Sequence, residues 1–169
     1  MFACSPRIKN TGLQKFEWSP SRKLTWEDYK AVPSRTQHDK VAARSTCRFG
    51  ITIDTSAGVK VNVTSEFISS LSNVRAGQQT AALLAHEQLH FDLCEVYARL
   101  LRKELANGTL TKTNVAAISK DAFLKYYQVY WDRQLIYDKE TDHGLNAANQ
   151  QLWNEQVATA LKDLQAYAK

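Results

Sequence analysis

In the stretch Leu84-Ala85-His86-Glu87-Gln88-Leu89-His90, two imidazoles stand four residues apart with a carboxylate between them. Residues at that spacing on an α-helix differ by about 40° and one turn of rise, so both rings project from one face. Such a pair can share a metal ion, the HExxH arrangement of zinc hydrolases. Glu87 lies about 100° from His86 around the axis, suited to reaching a metal-held water rather than the metal. Zinc lowers the pKa of its bound water to about 7, and a carboxylate nearby can take the proton as water attacks a carbonyl. A histidine pair on an ordinary helix would instead have to satisfy its ring nitrogens with polar partners.

The helix that must carry this motif is easy to read. Residues 78–106 contain no Gly or Pro and are rich in Ala, Leu, Gln, Glu and Arg, all good helix formers. Asn107-Gly108 supplies a C-terminal stop. Thr113 is positioned to cap a second helix running to about residue 133, and a third starts near Asn146, with Trp153, Val157, Leu161, Leu164 and Ala168 along one side. Before the helices, residues 48–55 and 59–64 alternate apolar and polar around Ser56-Ala57-Gly58, which predicts a β-hairpin. Leu24-Thr25-Trp26 reads as the start of a strand or of a short helix. The expectation is one α+β domain over residues 1–169, a small antiparallel or mixed sheet followed by three main helices, with residues 1–20 an irregular N-terminal segment.

A catalytic zinc site takes three protein ligands and leaves its fourth position to water. Besides the motif pair, the chain has two further histidines, His38 and His143. His38 lies in a polar segment that reads as a surface loop. His143 ends Tyr137-Asp138-Lys139-Glu140-Thr141-Asp142-His143-Gly144, an acidic stretch read as a loop between helices and able to return to the first helix. The local rivals Asp92 and Glu95 are poorly placed around the helix, Glu95 being about 140° from His90. His143 is therefore the expected third ligand. Tyr137 is a candidate hydrogen-bond donor to a tetrahedral oxyanion, or a residue packed beneath the loop. Asp138, Asp142 and Asp92 are candidates for orienting a ligand imidazole through its second nitrogen, or for capping turns and decorating the helix surface.

Composition bounds the rest. With 169 residues, 44% hydrophobic and 23% charged, the chain is large enough for a core and ordinary for a soluble domain. No apolar run approaches the ~20 residues that cross a bilayer. The net charge of +5 raises the possibility of nucleic-acid binding. The basic residues are dispersed, however, and the densest group, Arg99, Arg102 and Lys103, reads as a solvated face, so no nucleic-acid partner is expected. The three cysteines, Cys4, Cys47 and Cys94, have no CxxC spacing and cannot all pair within one chain. The first residues lack the pattern of an export signal, which fits a protein of the cytoplasm or one already trimmed. Cys4 lacks the preceding apolar stretch of a lipid-anchored cysteine.

Three pieces of the chain together resemble a known family. Leu24-Thr25-Trp26-Glu27-Asp28-Tyr29-Lys30, His86-Glu87-Gln88-Leu89-His90-Phe91-Asp92, and Tyr137-Asp138 with Thr141-Asp142-His143-Gly144 look like the LTWxDFK, HEQxHFD and YDxxTxHG segments of the bacterial family of predicted secreted zinc-dependent proteases. The resemblance covers about residues 24–153, with Tyr29 where Phe is more usual. It implies a zincin-like fold, a zinc ion on His86, His90 and His143, Glu87 as general base, and a peptide or protein substrate. It also implies a secreted or periplasmic location. Residues 59–64 are the expected edge strand for binding an extended peptide. A zinc amidase acting on cell-wall peptides would use the same residues, and a non-catalytic metal-containing binding module is the other alternative.

Overall fold

The alternation read in residues 48–64 becomes a hairpin because one face of it can be buried while the other meets water. A computed structural model describes residues 12–34 and 41–169. In it, strand β3 (Cys47–Asp54) pairs antiparallel with β4 (Lys60–Ile68), in register from Cys47 opposite Phe67 to Asp54 opposite Lys60. Gly58, at φ 133, belongs to the connecting turn, and Asp54 Oδ1 accepts bonds from the Ser56 backbone and hydroxyl. A short strand β1 (Lys15–Glu17) joins the opposite side of β4, Lys15 facing Ile68 and Glu17 facing Glu66. The sheet order is thus β1-β4-β3.

This order corrects two sequence expectations. Residues 59–64 lie in a strand that is central only at its far end, where β1 pairs with residues 66–68; along 60–64 β4 has β3 on one side, and on the other the Val63 carbonyl is taken by Arg102 Nε at 3.0 Å. Nor is the segment before residue 20 wholly irregular, since it supplies β1. Alternation reveals which face of a hairpin is buried, but not which strand gains a further neighbour, and a three-residue strand has too little pattern to read. A second small ladder joins β2 (Ala43–Arg44) to β5 (Asn73–Val74).

Helix α1 (Ala81–Asn107) begins where the Thr80 hydroxyl accepts the Leu83 N–H, and ends at Gly108. Every residue from 91 to 99 is buried. A helix covered all round is a core helix, and here the sheet covers one side while α2 (Val115–Thr141) and α3 (Ala147–Asp163) cover the other. Phe67 and Phe91 meet at the sheet–helix contact, ring centroids 5.7 Å apart, with Phe16 and Tyr29 against them. Because the middle of α1 is buried, its polar residues there need partners from other elements. Gln88 Oε1 accepts the Leu24 N–H at 2.7 Å, and Asp92 Oδ1 accepts from Trp18 Nε1 at 2.6 Å and Gln88 Nε2 at 2.9 Å. The Leu24 segment itself forms a short 3-10 turn at Trp26–Asp28.

Helix α2 runs eight residues beyond the expected end at 133. Nothing between Arg133 and Thr141 breaks a helix. The stop comes from Asp142, His143 and Gly144, at φ 48, 54 and 86. The segment expected as a loop therefore divides: Tyr137 and Asp138 are helical, and only the residues after Thr141 turn. Asn146 then caps α3 by accepting the Asn149 N–H. Among the described residues, no helix is long and apolar enough to cross a membrane, and Cys47 and Cys94 are free thiols. Cys4 and His38 lie outside the described residues.

Candidate metal centre

The HExxH face of α1 is turned toward α2 and α3. His86 and His90 present their Nε2 atoms to one another at 3.1 Å. Asp138 comes from α2, its Oδ1 lying 3.2 Å from His86 Nε2 and 2.9 Å from His90 Nε2. These three make up the described cluster of His, Cys, Asp or Glu donors able to share an ion, all within 4.8 Å of one another. Two ligands of a tetrahedral ion bound at about 2.0–2.1 Å stand about 3.3 Å apart. The three observed separations fall close to that edge, so the donors are spaced as ligands of one small cation.

The other ring nitrogens are held by glutamine side chains. His86 Nδ1 faces Gln150 Oε1 of α3 at 3.1 Å, and His90 Nδ1 faces Gln134 Oε1 of α2 at very short range. Each amide is oriented by a second bond, Gln150 Nε2 to Asn154 Oδ1 at 2.9 Å and Gln134 Nε2 to the His90 carbonyl at 3.0 Å. With amide oxygens against both Nδ1 atoms, a neutral ring would carry its proton on Nδ1 and leave the Nε2 lone pair for a metal. These glutamines were not anticipated. Gln134 and Asp138, four apart on α2, mirror His86 and His90 on α1, and that shared spacing was the signal available in the sequence.

Burial would lower the pKa of His90, but the hydrogen bond to Asp138 and the negative charges of Glu87 and Asp138 outweigh it and raise the value to about 9. Burial likewise opposes the charged form of Asp138, yet the two histidines hold its carboxyl well below the usual carboxylate range. Both directions describe the metal-free cluster, in which a proton takes the place a cation would fill.

Glu87 is 4% exposed, and its Oε2 is buried with no hydrogen-bond partner among the described residues. Its negative charge raises the pKa of Tyr29, His90 and Tyr137. Leaving a buried acceptor unsatisfied costs about 1–3 kcal/mol, more for a charged group. Such an atom is explained where a catalytic proton or water comes to it.

Tyr137 is fully buried, its ring stacked on His86 with centroids 4.6 Å apart and edge-on to His90 at 4.8 Å. The hydroxyl lies 3.1 Å from the His86 carbonyl and 2.9 Å from Gln150 Oε1. Burial pushes this phenol far above its ordinary pKa, so it stays a neutral donor. Its single proton is directed to these acceptors, which fits the reading of a residue packed beneath the turn better than that of an oxyanion donor.

His143 is at the rim. Its Nδ1 is 3.8 Å from Asp138 Oδ1 and its side chain is 49% exposed. Asp138, a candidate for orienting an imidazole, stands in the donor cluster beside His86 and His90, where His143 was the expected member. The reason is the extra length of α2, which carries residue 138 onto the face toward α1, while His143 follows the left-handed turn outward. Asp92 is committed to Trp18 and Gln88, and Glu95 to Arg99 and Arg102, so neither is available to the cluster. Asp142 caps α2 through its backbone. Comparison of the chain with protein-family models, with curated proteins and with solved structures gives no match.

Proposed function

We propose that this chain is a zinc-dependent hydrolase acting on peptide bonds, with a zincin-like arrangement of sheet and HExxH helix. The observation that carries the reading is the pairing of two features. Three donor atoms stand 2.9–3.2 Å apart, and Glu87, next in sequence to His86, has a buried carboxylate oxygen without a hydrogen-bond partner among the described residues. Two neutral imidazoles and one carboxylate suit zinc, and the set leaves a coordination position open. When bound there, zinc would polarise a carbonyl and bring the pKa of a water to about 7.

The chain's own residues supply the rest. Gln134, Gln150 and Tyr137 hold the imidazoles in the orientation that frees Nε2. Glu87 accepts a proton from the attacking water on its unpartnered oxygen and hands it to the departing amine nitrogen, so one carboxylate serves both halves of the reaction. The resemblance of residues 24–30, 86–92 and 137–144 to the secreted zinc-dependent proteases supports the same substrate class and a working place outside the cytoplasm.

Metal analysis and peptide-library hydrolysis on wild type and Glu87→Gln test this directly. Both proteins should hold about one zinc per chain, and the variant should lose about 10²–10⁴-fold in turnover, the usual worth of a positioned acid–base group. Undiminished turnover in Glu87→Gln, or a wild type that takes up no metal on reconstitution, would overturn the reading.

A further inference from the structure

On the flank of α1 away from the histidines, Glu95, Arg99 and Arg102 lie roughly 160–220° around the axis from His86. They form one buried network. Glu95 accepts from Ser65 Oγ at 2.5 Å, Arg99 Nε at 2.9 Å and Arg102 Nη1 at 2.9 Å. Arg102 also reaches the Tyr167 carbonyl at 3.1 Å, and Arg99 Nη1 the Leu161 carbonyl at 2.6 Å. Two guanidiniums against one carboxylate leave a positive charge, and Arg99 is only 2% exposed. The negative end of α3, where Leu161 lies, offsets roughly half a charge. Arg99 Nη1 also lies 3.5 Å from Gln165 Oε1.

This network lines a half-open cleft of about 410 Å³, walled by Trp18, Leu161 and Gln165. The volume is within the ~300–1,000 Å³ of small-molecule sites. Trp18 lies under the Arg99 guanidinium, 5.2 Å from ring centroid to Cζ. Around the cavity stand Lys23, Lys162 and Lys169 against Glu17. Lys169 is spent on Glu17 at 2.7 Å, whereas Lys162 has no ion pair among the described residues and Lys23 is 60% exposed, 4.0 Å from Asp92. A buried charge short of its counter-charge is costly, and here the space and the cations for an anion are already assembled.

We propose that this cavity binds a small oxyanion of the dicarboxylate or phosphate class, seated against Arg99 with Lys23 and Lys162 at the mouth. The site is separate from the metal-binding cluster, and the proposal does not rest on the hydrolase reading. Titration calorimetry of the full chain with succinate and with inorganic phosphate, at constant ionic strength near 0.15 M, tests it. Saturable one-to-one binding by at least one of them is expected, and which one binds distinguishes the two anion classes. Lys23→Ala combined with Lys162→Ala should weaken binding about tenfold or more, near 1.4 kcal/mol, whereas His90→Ala should leave it unchanged. The Trp18 indole N–H resonance should shift on titration. Absence of saturable binding by either anion, affinity unaltered in the double lysine variant, or binding lost in His90→Ala would each overturn the proposal.

Discussion

His90 Nε2 is shared between a neighbouring imidazole and a carboxylate, and that has a pH signature. Its pKa is raised from 6.5 to about 9 in the metal-free chain. The stability this contributes is fully present below pH 6.5 and is lost as pH rises through about 9. Asp138 behaves in the opposite sense, its contribution present above the ordinary carboxylate value and lost as pH falls through its depressed one. A metal ligand must be a neutral imidazole, so zinc uptake at pH 7–8 should expel about one proton per chain from His90. Calorimetric titration in buffers of different ionisation heat measures this, and a heat independent of the buffer would rule it out. The same scale decides the third ligand. Asp138→Ala should weaken zinc binding by more than the ~10–100-fold that orienting partners are worth, and His143→Ala by less, as read by competition with a chromogenic chelator. The reverse ranking would make His143 the ligand and Asp138 its orienting carboxylate. His86, Glu87 and His90 were legible in the sequence because their geometry is set within one helical turn. The part of Asp138 was not, because it depends on how far α2 runs and how it docks on α1.

At the scale of elements, the turn between α2 and α3 is pressed directly onto the site. A Cβ at Gly144 would stand 3.0 Å from both Cβ and Cγ of His86, and the residue has φ 86. Gly144→Ala should therefore combine backbone strain with a clash against the His86 ring, costing about 1–3 kcal/mol. Thermal denaturation would show the loss, and a parallel fall in zinc affinity would show that the turn positions His86. An alanine variant with unchanged stability and affinity would mean that the turn gives way without cost. Most elements could be read in advance: the hairpin from its alternation, α1 from its freedom from breakers, α3 from its Asn146 cap. The errors have a common source. β1 is three residues long and acquires its identity by pairing with β4, and α2 continues past residue 133 for want of any local stop. The densest basic group also reads differently in space, since Arg99 and Arg102 are folded around Glu95 rather than spread on a solvated face.

For the whole molecule, the cluster joins α1 to α2 and α3 reaches it through Gln150 on His86, so an ion bound there should stabilise all three together. Zinc at a hundredfold excess over its dissociation constant adds about 2.7 kcal/mol. That should raise Tm by about 5–10 °C for a chain of this size, and a chelator should reverse it. An unaltered Tm would mean that the histidines do not bind metal in the folded state. The wide separation of the site's parts has a further consequence. Asp138 is 52 residues beyond His86, Gln134 is 44 beyond His90, and Gln150 is 64 beyond His86. A chain emerging from the ribosome displays HExxH long before it owns the residues that hold the imidazoles in place. Until α2 and α3 have been synthesised and have folded back, two loosely held histidines are all it can offer a cation. The order of synthesis therefore acts as a safeguard: a half-made chain carries HExxH without the residues that hold its imidazoles.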